Sequence, residues 1–282
     1  MKHGWLAAAM VLTLCAGCSS ESAMVRQMRK ERLIGTIRAK LLEAVEAEKS
    51  AVLATTDEES QALAQEARNS AVEINTMRAA LRQLIVADGL RAEIEKLDAF
   101  DVAWAELERV DERLLARAVA NTNLKAMRLL SRDGAAALDR FVDGLTAMQR
   151  TITDPEMIRM LARAAVAALR SQSLLFVHIP SADDAEMSRI EQQLHDLGGE
   201  VERCLGSARE SGQAQPEQLA STSQAWDEFQ RLATEIIRLS RQNSNVISFD
   251  VSVHEKRQAM KTCLSALSEL SAAVDAGPHA TR

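Results

Sequence analysis

The sequence contains very few aromatic residues. Its 282 residues include no Tyr, and Phe and Trp together account for 3% of the chain. Glycine and proline are also scarce, at 11 and 4 residues. Sandwiches, barrels and parallel sheets need aromatic and β-branched strands joined by many turns, so these classes are excluded. A chain rich in Ala, Leu, Arg, Glu and Gln is helical by intrinsic propensity, and we expect an all-α protein.

Cysteine and histidine are too sparse and too scattered for a metal centre. Of the four cysteines, only Cys204 and Cys263 lie beyond the first 20 residues, and both fall in apolar stripes at helical spacing. We therefore expect two buried thiols, tens of ångströms apart and not bridged. Beyond the Cys15–Cys18 string near the N-terminus, no Cys-x-x-Cys motif occurs, and the sequence contains no nucleophile elbow and no glycine-rich phosphate loop. The sequence thus predicts no catalytic residue, no metal, no cofactor and no enzymatic activity.

An excess of positive charge is also missing. The formal net charge of the chain is −6. Proteins that bind the phosphate backbone need a basic face, so nucleic acid is not an expected partner.

The first 20 residues predict export and lipid anchoring. A basic start precedes the apolar run Trp5–Leu14, which is too short to span a bilayer and has the length of a signal-peptide core. The string LCAGCSS at positions 14–20 resembles the lipobox of bacterial lipoproteins, although Cys15 stands where Leu is usual. This resemblance implies cleavage before Cys18 and its acylation, for example by palmitate, and Ser19 in place of Asp favours the outer membrane. A plain secretory signal is the alternative.

The remainder contains two copies of one helical unit. Trp104 and Trp226 are 122 positions apart (226 − 104), and other residues match at the same offset. The matching pairs include Leu107 with Phe229, Leu114 with Ile236, Asn121 with Asn243, Asn123 with Asn245, and Leu138 with Met260. We therefore divide the chain into a signal peptide (1–17), an anchor linker (18–23), repeat 1 (24–150), repeat 2 (151–275) and a disordered tail (276–282).

Each repeat contains three helical segments, which we name A, B and C, with a prime in repeat 2. Helix caps, prolines and Asp-Gly or Ser-Gly turns separate them. In repeat 1, segment A spans about 23–54, B ends near Ile85, and C spans about 90–150. In repeat 2, A′ starts at Thr153–Glu156, breaks follow at Pro180–Asp184 and Ser211–Pro216, and C′ ends near Val274.

The segment lengths suggest how the segments pack. A plus B covers 65 residues and C covers 61, so C as one helix of about 90 Å could return alongside A and B placed end to end. The predicted fold is an elongated up-down helical bundle, in which two stacked four-helix bundles share C and C′. The alternative is that C breaks at Ser131–Gly134 and each repeat forms its own compact unit. We favour the continuous helix, because the equivalent Val253–Lys256 contains no helix breaker.

Polar residues interrupt the core pattern of C and C′ at equivalent places. Leu107 and Leu114 lead by sevens into Asn121, as Phe229 and Ile236 lead into Asn243. One interpretation is a polar pocket lined by Asn121, Asn123, Arg241, Asn243 and Asn245. The other is a buried Asn layer that sets the register between helices, or side chains that a small rotation leaves in water.

A second candidate lies at the start of segment A. Arg26, Arg29 and Arg32 recur every three residues close to the predicted anchor. They are candidate contacts for lipid headgroups or for a small carboxylate, which Arg binds in bidentate fashion. A solvated basic stripe is the alternative.

Three stretches resemble the periplasmic sensor regions of methyl-accepting chemotaxis receptors. Residues 48–59 (EKSAVLATTDEE) and 178–187 (HIPSADDAEM) resemble the joint after the first helix, and 226–256, which includes RLSRQNSNVISF, resembles the last helix. The resemblance covers most of 40–272 and is similar to the helical bimodular type, which stacks two four-helix bundles and can bind small organic acids. The simpler four-helix-bundle sensor is the nearby alternative.

The resemblance implies a sensory role, but we expect no membrane helices or signalling domain in this chain. Our first hypothesis is an envelope-anchored, periplasm-facing lipoprotein that binds a small organic ligand or the sensor domain of an envelope partner. The alternative is a structural or adaptor lipoprotein that acts as a helical spacer without a ligand. A homodimer is compatible with both.

Overall fold

The computed structural model describes residues 23–277, so the predicted signal peptide and Cys18 lie outside the described residues. This part of the chain contains helices and no strand, which confirms the all-α prediction. Two π-helical turns, Leu130–Gly134 and Ser252–Lys256, join α4 to α5 and α9 to α10. The helices are α1 (Ala23–Leu53), α2 (Asp57–Asp88), α3 (Arg91–Ala120), α4 (Thr122–Leu129), α5 (Ala135–Thr151), α6 (Pro155–His178), α7 (Asp184–Ser211), α8 (Pro216–Gln242), α9 (Ser244–Val251) and α10 (Arg257–Ala276).

Local signals fix several helix ends. The Thr56 side chain accepts a hydrogen bond from the Glu59 amide at 3.1 Å and caps α2. Asp183 caps α7 in the same way. Gly89 and Gly212 end α2 and α7 with φ of 69° and 64°, a left-handed conformation that glycine adopts at little cost.

The helices form two four-helix bundles, each with its own core. Bundle 1 contains α1, α2, α3 and α10, and bundle 2 contains α5, α6, α7 and α8. The core of bundle 1 comes from residues 34–118 and 251–274, and that of bundle 2 from residues 126–236. C therefore starts in bundle 1 as α3 and ends in bundle 2 as α5, whereas C′ takes the opposite path. The prediction of two stacked four-helix bundles that share C and C′ is confirmed.

The prediction that A and B run end to end is wrong. Helices α1 and α2 pack side by side, and Lys30 near the start of α1 lies 2.6 Å from Asp88 at the end of α2. They form an antiparallel hairpin, as do α6 and α7. Segment lengths do not distinguish the two arrangements. Half of C is about as long as A, just as the whole of C is about as long as A plus B.

Helix α6 is unusually apolar. Among residues 23–277 it is the one helix that could cross a membrane by length and composition, with a mean hydropathy of 1.3 over 18 residues. This is weak evidence for a span, since core helices of soluble proteins pass the same test. Only 33% of that stretch is buried, so much of its apolar surface is exposed.

Candidate functional site

Asn121 and Asn243 interrupt the long segments C and C′. Both adopt the left-handed conformation, with φ of 51° and 50°, and within residues 23–277 no other non-glycine residue has a positive φ. Asn tolerates this conformation better than most residues. Each Asn ends one helix and begins the next, so the prediction of an unbroken helix C is wrong. The π-turn at Leu130–Gly134 lies where the alternative placed a break, but the chain stays helical there.

The two Asn-x-Asn triplets, residues 121–123 and 243–245, bind each other reciprocally, and we call them the Asn joint. The Thr122 amide donates to Ser244 Oγ at 2.9 Å, and the Ser244 amide donates to Thr122 Oγ1 at 3.1 Å. The Asn123 and Asn245 amides donate to each other's Oδ1 at 3.2 and 3.1 Å. These amides belong to the first turns of α4 and α9, which have no partner within their own helix. Each helix is therefore capped by side chains of the other.

The asparagine side chains complete the joint with a pseudo-two-fold pattern. Asn123 Nδ2 donates to Asn243 Oδ1 at 2.8 Å, and Asn245 Nδ2 donates to Asn121 Oδ1 at 2.9 Å. The pattern is broken at two places. Asn123 Nδ2 also donates to the Ile179 carbonyl at 2.6 Å, a bond that Asn245 Nδ2 does not match. Asn243 Nδ2 donates to the Ser181 carbonyl at 2.8 Å, whereas Asn121 Nδ2 is buried without a partner. The structure thus brings the four predicted asparagines together, in the geometry of a register-setting layer rather than of an open pocket.

Arg241 lies outside this layer. Its Nε donates to Glu191 Oε1 at 2.7 Å, and its Nη2 donates to Ser188 Oγ at 2.9 Å, both on α7. The guanidinium group holds the pKa of Glu191 below its usual value. Arg241 therefore ties α8 to α7 rather than completing a site with the asparagines.

His178, the last residue of α6, is fully buried and shares Glu191 with Arg241. Its Nδ1 lies 2.9 Å from Ser240 Oγ, and its Nε2 lies 3.0 Å from Glu191 Oε1. Serine, histidine and glutamate in a row resemble a hydrolytic triad, but Ser240 is fully buried and donates its hydroxyl to the His178 carbonyl at 3.0 Å. The geometry offers no accessible nucleophile. No group of three potential metal ligands occurs within residues 23–277.

This polar cluster is confined to bundle 2. Aligned on the helix caps Thr56 and Asp183 and on the two Trp residues, its counterparts in repeat 1 are Ala51, Ala64 and Ala118. The two repeats have the same order of helices but differ in the polar side chains that they bury.

Bundle 1 has its own buried charges, at the second π-turn. Lys256 and Glu48 are 2% and 1% exposed, and Lys256 Nζ lies 3.4 Å from Glu48 Oε2. Lys256 also contacts Asp111, and Ser252 Oγ donates to Glu48 Oε1 at 2.8 Å. One cation thus faces two carboxylates, and burial raises the pKa of Asp111 to about 6.

A cavity of about 420 Å³ opens beside this cluster, and we call it the cationic cavity. Leu53 and Phe249 in its wall are 68% and 54% exposed. Lys49 and Arg257 are exposed at the cavity and form no ion pair within the described residues. Its lining consists of Val45, Lys49, Val52, Leu53, Phe249, Ser252, Val253, Lys256, Arg257 and Met260.

The predicted arginine stripe does not form one continuous site. Arg26 Nε pairs with Asp88 Oδ1 at 2.7 Å, whereas Arg29 and Arg32 are exposed on α1. The residue missed by sequence reasoning is Lys30, which is 1% exposed and lies 2.6 Å from Asp88 and from a buried glutamate in the first turn of α3. No sequence signal distinguishes Lys30 from its solvated neighbours.

Comparison with known proteins supports the fold. No protein-family model matches the sequence, and no curated protein matches it significantly. Among solved structures, the sensor domain of the histidine kinase sensor TorS of V. parahaemolyticus is similar, with a TM-score of 0.54. The match covers 90% of this chain and 97% of that chain at 12% identity. At this identity the similarity concerns the fold, and the chain therefore has the fold of a helical sensor domain.

Proposed function

We propose that this protein is an envelope-anchored, periplasm-facing binding lipoprotein whose helical sensor domain takes a small organic anion in the cationic cavity. The fold of a sensor domain, the resemblance to chemoreceptor sensor regions and the lipobox-like string ending at Cys18 support this assignment. The observation that carries it is the cavity itself.

The cavity combines the features of a site for an anion with an apolar body. Its volume of about 420 Å³ falls within the range of small-molecule sites. Apolar side chains from α1, α9 and α10 form its walls, and Lys49 and Arg257 are available to bind a carboxylate. Because the second π-turn forms one side, a bound ligand would contact the segment that joins α9 to α10.

Thermal unfolding of the chain from Ser19 onward, with a panel of carboxylates, tests the ligand. A compound that binds only the folded state raises Tm in proportion to the logarithm of its concentration. We expect carboxylates with an apolar body to raise Tm. In the Lys49→Glu and Arg257→Glu variants, the same compounds should no longer raise it. Arg231→Glu, an equal charge change on the exposed surface of bundle 2, is the matched control. If no compound raises Tm, the proposed binding of an organic anion is wrong, and the alternative of a helical spacer without a ligand is favoured.

Anchoring needs a separate experiment. Cells grown with labelled palmitate should incorporate the label into the wild-type protein, which should sediment with outer membranes. Cys18→Ser should remove the label and release the protein, whereas Cys15→Ser should not. Labelling that persists in Cys18→Ser would contradict this assignment without affecting the ligand site.

A further inference from the structure

A second cavity, of about 400 Å³, opens between α7 and α8 in bundle 2. Residues 191–202 of α7 and 229–237 of α8 form its walls, together with Ser171 of α6, and we call it the α7–α8 groove. Its volume falls within the range of small-molecule sites. Of the polar cluster around His178, only Glu191 lines it, so the groove is a separate feature of bundle 2.

Two consecutive glycines open the groove in the middle of α7. Aligned on the helix caps, Gly198 and Gly199 correspond to Ala71 and Val72 of repeat 1. A Cβ atom on Gly198 would lie 2.7 Å from Gln230 Nε2, whereas the nearest atom to a Cβ on Gly199 would be 3.4 Å away, an ordinary contact. Glycine lowers the stability of a helix interior. Packing does not require it at residue 199, where the missing side chain leaves the groove open.

Repeat 1 closes the equivalent groove with polar side chains. Asn75 of α2 accepts a hydrogen bond from Trp104 Nε1 at 2.8 Å. The Asn75 Nδ2 donates to Glu108 Oε1 at 2.6 Å, so that three side chains link α2 to α3. The corresponding residues of repeat 2 are Glu202, Trp226 and Gln230.

This link between helices is missing in repeat 2. Trp226 is buried and stacks on Phe229 of the groove wall with ring centroids 5.5 Å apart, but its Nε1 has no hydrogen-bond partner. Glu202 is exposed at the groove and forms no hydrogen bond or ion pair with the part of the chain that the structure describes. The indole N–H of Trp226 therefore lacks the acceptor that Trp104 has, and Glu202 stands at the position of that acceptor.

Carboxylates lie at both ends of the groove. Glu191 accepts from Arg241 Nε and lies 3.0 Å from His178 Nε2, both through Oε1, which leaves Oε2 open. Glu202 lies 11 positions further along the chain (202 − 191), which corresponds to about 16 Å along α7. The equivalent positions of repeat 1 hold Ala64 and Asn75, so this pair of carboxylates occurs in bundle 2 alone.

We propose that the α7–α8 groove binds a linear organic dication, such as a diamine with an ammonium group at each end. One ammonium group binds Glu191 Oε2, and the other draws Glu202 inward, where its carboxylate also accepts from Trp226 Nε1. Hydrogen bonds of about 3 Å at both ends leave about 10 Å between the two nitrogen atoms, the length of an extended chain of about eight carbon atoms. The methylene chain lies along the half-buried Leu194 and Ile237.

Calorimetric titration of the full chain with amines tests the proposal. We expect diaminooctane to bind on the order of tenfold more tightly than aminooctanol, in which a hydroxyl replaces one ammonium group, and than diaminobutane, which is too short. Glu202→Gln should abolish the preference for diaminooctane over aminooctanol. Glu210→Gln, the same charge change on the exposed surface of α7, is the matched control and should retain it.

A second variant blocks the groove without changing its charge. Gly199→Val introduces the residue that repeat 1 carries at Val72, and it should abolish binding of diaminooctane. It should not lower Tm, because valine has a higher helix propensity than glycine.

The indole N–H resonances report the position of Glu202. Saturating diaminooctane should move the resonance of Trp226 to lower field in a nitrogen–proton correlation spectrum. The resonance of Trp104, which is already bonded to Asn75, is the internal control and should stay in place.

Several results would overturn the proposal. They are equal affinities for diaminooctane and aminooctanol, equal losses in Glu202→Gln and Glu210→Gln, binding that persists in Gly199→Val, and an unmoved resonance of Trp226. Lys49→Glu should leave diamine binding unchanged, which distinguishes a failure of this site from a failure of the cationic cavity.

Discussion

Asn121 and Asn243 occupy equivalent backbone positions in unequal surroundings. A left-handed residue without special tolerance costs about 1–2 kcal/mol, and Asn reduces this cost at both places. Asn243 also ties the joint to the α6–α7 loop through Ser181, whereas the matching Nδ2 of Asn121 has no partner. The joint is therefore held more firmly on the side of bundle 2.

This asymmetry predicts unequal effects of alanine. Asn243→Ala should lower the free energy of unfolding by about 1 kcal/mol more than Asn121→Ala, because it removes one additional hydrogen bond. Asn243→Gly should be milder than Asn243→Ala, since glycine keeps the left-handed conformation. Urea unfolding of the variants measures both differences, and equal losses in the two alanine variants would contradict the asymmetry.

The burial of Asp111 predicts that the stability of the protein depends on pH. Its pKa rises on burial from 3.8 to about 6, so between about pH 4 and 6 the native state holds a proton that the unfolded chain releases. The contribution of Asp111 to stability therefore falls as pH increases through this window, by an amount on the order of 2–3 kcal/mol. Asp88 and Glu191, whose pKa values are lowered, act in the opposite direction.

Asp111→Asn isolates this contribution. The asparagine cannot titrate, so the variant should gain stability relative to wild type as the pH is raised from 4.5 to 7. The difference in unfolding free energy between variant and wild type, measured in urea at both pH values, gives the shift. Asp143→Asn, an exposed control, should show no such change. A difference for Asp111→Asn that does not vary with pH would exclude the proposed titration.

At the scale of helices, α5 and α8 approach each other closely in bundle 2 at Gly144. A Cβ atom built on Gly144 would lie 2.2 Å from Thr222 Oγ1 and 3.1 Å from Thr222 Cβ. Thr222 is buried and donates to the Gln218 carbonyl at 2.8 Å. Glycine is therefore needed at residue 144 for packing, although it lowers intrinsic helix stability.

Gly144→Ala should destabilise the protein by about 1–3 kcal/mol through this overlap. Gly35→Ala, in an exposed helix interior with nothing within 4 Å of the new Cβ, should stabilise it by about 0.5–1 kcal/mol. The double variant Gly144→Ala/Thr222→Ala should recover stability relative to the sum of the single changes. Additive losses in urea unfolding would show that Thr222 is not the obstacle.

The sequence predicted the helix ends that are determined by residues close to them in the chain. Thr56, Asp183 and Gly89 mark helix ends through interactions within a few residues of themselves. The break at Asn121 carried no such mark, because Asn also occurs within helices and the partner of its side chain is Asn245, 124 positions away. Lys30 was missed for the same reason, since its burial depends on carboxylates from other helices.

At the scale of the whole molecule, the two cores are separate but their helices are not. Trp104 lies in the core of bundle 1, where its Nε1 donates to Asn75 Oδ1 at 2.8 Å. Trp226 lies in the core of bundle 2, with its ring centroid 5.1 Å from that of Phe141. C and C′ pass through both bundles, and the break in each of them lies at the Asn joint, where hydrogen bonds connect the two segments. We expect this joint to make the two bundles unfold as one unit.

The two Trp residues allow this coupling to be measured. In Trp226→Phe, prepared without the N-terminal segment that contains Trp5, the fluorescence of Trp104 reports bundle 1 while far-UV circular dichroism reports both bundles. The two urea transitions should coincide, as cooperative unfolding requires. Adding Asn123→Ala and Asn245→Ala removes the central hydrogen bonds, and the transitions should then separate. Trp104→Phe, with Trp226 as reporter, is the reciprocal control. Transitions that already differ with the Asn joint intact would show that the bundles unfold independently and that the joint sets register without coupling stability.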